Sequence, residues 1–395
     1  MYPNFYFLFK DLFGVELHGL VFVNTFGFFV ALSFLLANYT MGLELKRKEG
    51  QGLIEGMPGK KWFGKLPSST DYIGNAVLGF VFGWKFLYLF TNGKDLFDDP
   101  QSHILSMEGS LVLGVLAALV AVGLKYYESI QTKKKYPEPE LRDITIRPHQ
   151  RMGTMTLYAA VAGLLGAKIF DHMEHWDEFI QNPLGAFLDP FSGLTFYGGL
   201  ICGGAAVLWY ARKVNISWKH MLDVGGPAMM LAYGVGRIGC HMSGDGDWGI
   251  VNNRPNPGWL PDWLWAYTYP NNVAGICNPV EHTGCAEGTI PELIFPVWPT
   301  PIYETIMCLS LFAALWYLRK RISVPGVLFG IYLFMAGFER FWIEKIRVNA
   351  TYNLFGMEIT QAEIISVVLM LLGVGMIIWF KKTHKPKEVV DKSTT

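Results

Sequence analysis

Charge is scarce in this 395-residue chain. Only 17% of its residues are Asp, Glu, Lys or Arg, whereas an ordinary soluble domain carries about a quarter. That shortfall argues against a cytosolic enzyme. Neither sign is in excess: 33 Lys and Arg balance 33 Asp and Glu. Bulk positive charge, the main source of affinity for nucleic acid, is therefore missing, and no nucleic-acid partner is expected. Cysteine is sparse too. Five cysteines without a Cys-x-x-Cys pair exclude a zinc ribbon and a disulfide scaffold, and no metal or cofactor is implied. The 43 glycines follow no three-residue period, which excludes collagen. What remains is apolar: 51% hydrophobic residues and a mean hydropathy of +0.26. An all-α polytopic membrane protein is the class left standing.

Apolar runs of roughly 18 residues or more mark candidate spans. Nine occur, near 14–41, 72–91, 106–124, 152–171, 193–211, 220–241, 299–318, 325–344 and 361–380. The first lacks a small-residue cleavage site after it, so it reads as an anchor and not a signal peptide. Alternate loops and the tail together hold 24 cations, from Lys46 to Lys392, while the other side holds Lys10, Lys94, Arg254, Lys345 and Arg347. Segment 172–192 has no Lys or Arg but has Glu174, Asp177, Glu178 and Asp189. Cytoplasmic loops carry the Lys/Arg excess. The N-terminus is thus expected outside, the C-terminus inside, and the polar tail 382–395 disordered.

Four cations fall inside spans: Lys85, Lys168, Arg237 and Arg340. A charge in the bilayer is costly and marks a functional candidate. All four lie in the outer half of spans running outward. Snorkelling to the interface is the plain alternative for Lys85 and Lys168; for Arg340 it is an ion pair with Glu339 or Glu344. His18, Tyr197, Tyr303 and Glu304 begin spans running inward, and Asp245 and Asp247 follow the Arg237 helix. Polar groups thus share one depth, where an anionic lipid headgroup would meet guanidiniums, hydroxyls and glycine-permitted backbone. Helix-to-helix hydrogen bonding without a ligand is the competing reading.

Three stretches carry motifs. One is Leu194-Thr195-Phe196-Tyr197-Gly198-Gly199-Leu200-Ile201-Cys202-Gly203. The second runs from Gly236-Arg237-Ile238-Gly239-Cys240 through Asp245 and Asp247 to Trp248-Gly249. The third is Pro299-Thr300-Pro301-Ile302-Tyr303-Glu304, followed by Gly337-Phe338-Glu339-Arg340-Phe341-Trp342-Ile343-Glu344. In this order they resemble the prolipoprotein diacylglyceryl transferase family, which reads F-H-G-G-L-I-G, G-R-x-G-N-F-x-N-G-E-x-W-G, R-H-P-x-Q-L-Y-E and G-x-x-R-F-x-x-E. The resemblance covers about 14–41 and 152–380. Asp223 and Pro227 also match. The helix pair 72–124 looks inserted, as does much of the outer loop.

The resemblance implies seven core helices, which the inserted pair would raise to nine. It implies transfer of the diacylglyceryl group of phosphatidylglycerol to a preprolipoprotein lipobox cysteine at the outer face of the bacterial inner membrane. A thioether forms and glycerol phosphate leaves. Phosphatidylglycerol, preprolipoprotein signal peptides and surrounding membrane lipids are then the partners. Arg237 matches the arginine that holds the phosphate. Gly198, Gly199, Gly236, Gly239, Gly249, Glu304, Arg340 and Lys168 are the expected substrate-binding set. His18, Tyr197, Arg237, Tyr303, Asp245 and Asp247 are the expected catalytic one. The implied segments are 1–71 (first helix and basic loop), 72–150 (inserted hairpin and basic loop), 151–241 (motif-bearing core helices), 242–298 (Trp-rich periplasmic loop), 299–381 (last core helices) and 382–395 (tail).

Departures from the family pattern are specific. Its histidine of F-H-G-G is Tyr197 here, and the tyrosine of its W-Y-G-L is His18, so the imidazole and hydroxyl are expected to have exchanged places. Its Asn after G-R-x-G is Cys240. The Glu of N-G-E-x-W-G falls in a loop one residue longer, where Asp245 or Asp247 can stand in. Its Arg-His before the third proline is Val297-Trp298, removing a cation for which Lys168 or Arg254 is the candidate to compensate. A catalytically inactive relative that binds lipid or lipoprotein therefore stays an alternative, as does an anionic-lipid transporter, although the latter needs polar groups through the full membrane depth.

Cys277 and Cys285 fall in the outer loop, a disulfide-permissive compartment, and are expected to pair. Cys202 and Cys308 read as small packing residues. Trp248, Trp259, Trp263, Trp265 and Trp298 suit a loop at the membrane surface.

Overall fold

The computed structural model describes residues 1–21, 23–88, 108–181, 195–286, 288–349, 351–354 and 357–384. Lys94, Asp189, Leu194 and the tail from 385 lie outside the described residues. The longer helices in chain order are α1 (Phe5–Phe13), α2 (Thr25–Gly50), α3 (Ser69–Val81), α4 (Leu111–Lys135), α5 (Met152–Glu174), α6 (Phe196–Lys213), α7 (Trp218–Ser243), α8 (Thr300–Leu318), α9 (Val327–Glu344) and α10 (Gln361–Thr383). Strands are short: β1 (Met57–Phe63) pairs with β2 (Glu140–Ile146), β3 (Ile276–Asn278) with β4 (Thr283–Gly284), and β5 (Thr351–Leu354) with β6 (Met357–Thr360). The chain is mainly helical. Helices α2, α4, α5 with its preceding turn, α8 and α10 are long and apolar enough to cross a membrane. Helices α3, α6, α7 and α9 stand where the other expected spans were placed.

The first span needs correction. Residues 14–24 do not belong to a long helix. Gly14, at φ +66°, ends α1 in the left-handed conformation that suits glycine, and Asn4 bridges to Asn24. His18 sits in a three-residue 3-10 turn, His18–Leu20. Helix α2 begins at Thr25 and runs on through Lys46–Lys48, which hydropathy assigned to a loop.

Two compact units divide the chain. One comprises Tyr2–Thr25 and Pro58–Ile146; the other comprises Met1, Phe26–Met57 and Arg147–Thr395. In the smaller unit, α3 and the π-helical turn Phe82–Leu87 that continues it pack on α4 through Gly79, Gly83 and Gly114, whose missing side chains admit the neighbouring helix.

In the larger unit α5 packs on α6, α7 on α8, and α9 on α10. Small residues again set the spacing. A Cβ on Gly166 would lie 2.5 Å from the Gly198 carbonyl oxygen, and one on Gly330 2.9 Å from that of Gly373. At the start of α7, Asp223 caps α9, accepting from Gly326 N at 2.8 Å and Phe329 N at 3.0 Å. Lys48 lies 3.7 Å from the same carboxylate, and Glu44 pairs with Arg47 and Arg319. Arg237 is 14 residues beyond Asp223, about 21 Å along the helix.

Candidate active site

Helix α7 ends at Gly244, φ +65°, whose N–H closes on the Cys240 carbonyl at 3.0 Å. The chain then turns back, with Asp245 Oδ1 accepting from Asp247 N at 3.2 Å. This return brings the Asp247 carboxylate to Arg237 Nη1 and, at 2.7 Å, to Arg347 Nη2. Arg237 Nε lies 3.0 Å from Glu304 Oε2 on α8, and its Nη2 donates to the Tyr233 hydroxyl at 3.1 Å. Tyr233, one turn earlier on α7, donates to Glu304 Oε1 at 3.0 Å.

The same Glu304 oxygen is 3.4 Å from Arg340 Nη1 and 3.4 Å from Arg347 Nη1. Arg340 reaches Glu344 Oε2 at 3.0 Å. Three guanidiniums from α7, α9 and the segment after α9 thus share three carboxylates. Burial separates the carboxylates. Glu304 is fully buried, while the Asp247 side chain is 36% exposed. Glu304 is therefore a fixed counterion, because stripping a buried charge of its partners is costly. Asp247, by contrast, is open to solvent.

Burial pushes the Asp247 carboxyl up, but Arg237 and Arg347 outweigh it and hold it below its ordinary value. Asp245 goes the other way: burial raises it, and the Asp247 charge adds to the rise. Burial alone would weaken the Arg347 cation, but Glu304 and Asp247 keep it charged. Fixed guanidinium forks of this kind match a phosphate, and they bind it with paired charge-assisted hydrogen bonds. Cys240 Sγ and the Asp245 and Asp247 carboxylates come within 4.8 Å of one another, but both Asp247 oxygens already face arginines.

Other expected site residues fall elsewhere. The Tyr303 hydroxyl donates to the Leu264 carbonyl at 2.6 Å, tying α8 to the outer loop. Tyr197, at the start of α6, is 45% exposed and takes no part in the arginine network. His18 belongs to the other compact unit, and its side chain lies outside the described residues. Lys168 is buried in α5, and the network is built without it.

Most of the expected substrate-binding glycines meet protein. Gly198 and Gly199 face α5. A Cβ on Gly239 would lie 3.0 Å from Phe29 Cβ, so this glycine admits α2. Gly249 bridges to Arg347, and a Cβ there would lie 2.9 Å from that of Trp298. Only Gly236 of this set faces open space.

Arg347 and Tyr233 are the functional candidates that sequence reasoning missed. Arg347 was counted as a loop cation, yet Ile250 N–H bonds the Ile346 carbonyl at 2.8 Å and folds that segment inward. It, and not Lys168 or Arg254, supplies the third cation. No sequence signal marked it, because it lies three residues beyond Glu344, the end of α9, and is placed by backbone pairing. The disulfide Cys277–Cys285 is formed, as expected.

The family model described as prolipoprotein diacylglyceryl transferase matches residues 112–379. The chain belongs to that family. The match begins inside the helix pair that the motifs alone marked as inserted. Among similar proteins, one from Aliivibrio fischeri is 30% identical over 243 residues, covering 60% of this chain and 76% of its own length. One from Leptospira interrogans is 24% identical over 324 residues, covering 70% and 91%. One from Dehalococcoides mccartyi is 30% identical over 244 residues, covering 61% and 80%. All three are named phosphatidylglycerol–prolipoprotein diacylglyceryl transferase. This prolipoprotein diacylglyceryl transferase family member is accordingly a transferase, and its apolar helices are those of a multi-pass membrane protein.

Proposed function

We propose that the chain transfers the diacylglyceryl group of phosphatidylglycerol to the lipobox cysteine of preprolipoproteins, forming a thioether and releasing glycerol phosphate. It does so as a nine-span protein of the bacterial inner membrane, with the N-terminus and the site on the periplasmic side. The observation that carries this reading is the convergence of Arg237, Arg340 and Arg347 on Glu304, with Arg237 and Arg347 also meeting a partly exposed Asp247. The names and family of the relatives support it.

In the reaction, the lipid phosphate takes the place of Asp247 between the guanidiniums. The thiolate sulfur attacks the glycerol carbon, the C–O bond to phosphate breaks, and its electron pair leaves on the phosphate oxygen. The arginines stabilise that growing charge. A thiol of pKa about 8.5 must first lose its proton. The family resemblance nominates His18 for that proton and Tyr197 for the companion hydroxyl.

The test is purified protein with phosphatidylglycerol and a lipobox peptide. Wild type is expected to give the thioether product, and His18→Ala and Arg237→Ala to lose it. No product from wild type overturns the proposal in favour of an inactive lipid-binding relative. Activity surviving in His18→Ala removes only the exchanged base.

A further inference from the structure

The sheet β1–β2 plays no part in the chemistry above. Segments 57–66 and 133–146 hold Lys60, Lys61, Lys65, the run Lys133–Lys135 and Arg142, against Glu138, Glu140 and Asp143. All seven cations are exposed, and of the three carboxylates only Glu140 has a partner among them, Arg142 Nε at 2.9 Å. An aromatic pair gathers the cations. The Phe63 and Tyr136 ring centroids are 5.8 Å apart; Lys61 and Arg142 lie over Phe63 at 5.6 and 5.4 Å, and Lys135 over Tyr136 at 5.6 Å. Beside them Trp62 and Leu141 are 52% and 46% exposed. A concavity lined by Gly59, Lys60, Asp143 and Thr145 lies on the same sheet.

Place decides what this surface meets. β2 begins five positions after Lys135, the end of a helix able to cross the membrane, and β1 ends six positions before α3. Such tethers hold the strand ends within roughly 20 Å of the helix ends. A membrane surface acts on charge within about 8–10 Å of it at physiological salt; tethers this short let the sheet come that close, and anionic lipids attract juxtamembrane basic segments. Indole rings favour the same boundary.

We infer that β1–β2 is a docking surface for anionic phospholipid headgroups of the cytoplasmic leaflet, with Trp62 and Leu141 entering the interface. The inference rests on the proposed orientation of the chain but not on its transferase chemistry. It is tested with the full chain in nanodiscs of zwitterionic lipid, with and without phosphatidylserine, an anionic lipid distinct from the proposed substrate. The readout is amide hydrogen exchange at 57–66 and 133–146.

Phosphatidylserine is expected to slow exchange there several-fold. Raised salt, or the combined variant Lys60→Gln, Lys61→Gln, Lys65→Gln and Arg142→Gln, is expected to remove the effect. Equal rates in the two bilayers, or a slowing that persists in the variant, would overturn it. Should the variant lose the sheet and exchange fast in both bilayers, the salt titration of the wild-type chain decides. Slowing that disappears with salt sustains the proposal, and slowing indifferent to salt refutes it.

Discussion

Glu304 is fully buried yet faces three guanidiniums, so it anchors the cluster while Asp247 opens it. Arg347 is the residue whose importance this geometry raises most, since it spans both carboxylates. Arg347→Ala is expected to lower kcat/KM by about 10²–10³-fold, the typical loss of one preorganised donor. Arg347→Lys should recover only part, because an ammonium lacks the planar fork. Steady-state kinetics with the lipobox peptide reads both.

The neighbouring aspartates give opposite pH signatures. Asp247 is held below its unfolded value, so its stabilisation is full above that value, about 3.9, and fades as pH falls through the folded one. Asp247→Asn should therefore be less stable than wild type at neutral pH, with the gap narrowing in acid. Asp245 is raised by burial, so its ionised form costs stability; Asp245→Asn should match or exceed wild type at neutral pH. Thermal unfolding in detergent across pH separates the two.

At the scale of elements, helix pairs are fixed by what glycine leaves out. Gly166→Ala would press a Cβ against the Gly198 carbonyl oxygen at 2.5 Å. It should destabilise by roughly 1–3 kcal/mol, the usual cost of overpacking. Gly204→Ala, on α6 with nothing within 4 Å, should be neutral; unfolding midpoints of the two variants make the comparison. The sequence showed these glycines but assigned Gly198, Gly199 and Gly239 to the lipid. A glycine marks close approach without saying to what. Arg237, Glu304, Arg340 and Asp247 were legible because each is a polar group at one depth beside an apolar run. Arg347 was not, since hydropathy ends α9 at Glu344 and cannot register the backbone pairing between 249–250 and 346–347. The start of α2 was misread for a related reason: the largely apolar run before Thr25 is broken by Gly14, which ends α1, and His18–Leu20 form only a 3-10 turn.

For the molecule as a whole, the placing of 24 cations on one set of loops makes topology testable apart from chemistry. A protease-cleavable tag inserted at Gly258 should be cut on intact spheroplasts, and one placed after Lys392 should survive until the membrane is opened. The reverse pattern would invert the orientation and move the arginine cluster to the cytoplasmic side.

In the proposed reaction, the hinge between binding and release is the aspartate that faces water. A carboxylate tethered ten residues from Arg237 returns to its seat without diffusing, so a departing phosphate ester competes with a rival that is always present at high effective concentration. Once severed from its acyl chains, glycerol phosphate has nothing else to hold it. Soluble phosphate esters should then be feeble inhibitors, and an effective blocker of this enzyme must carry a lipid tail.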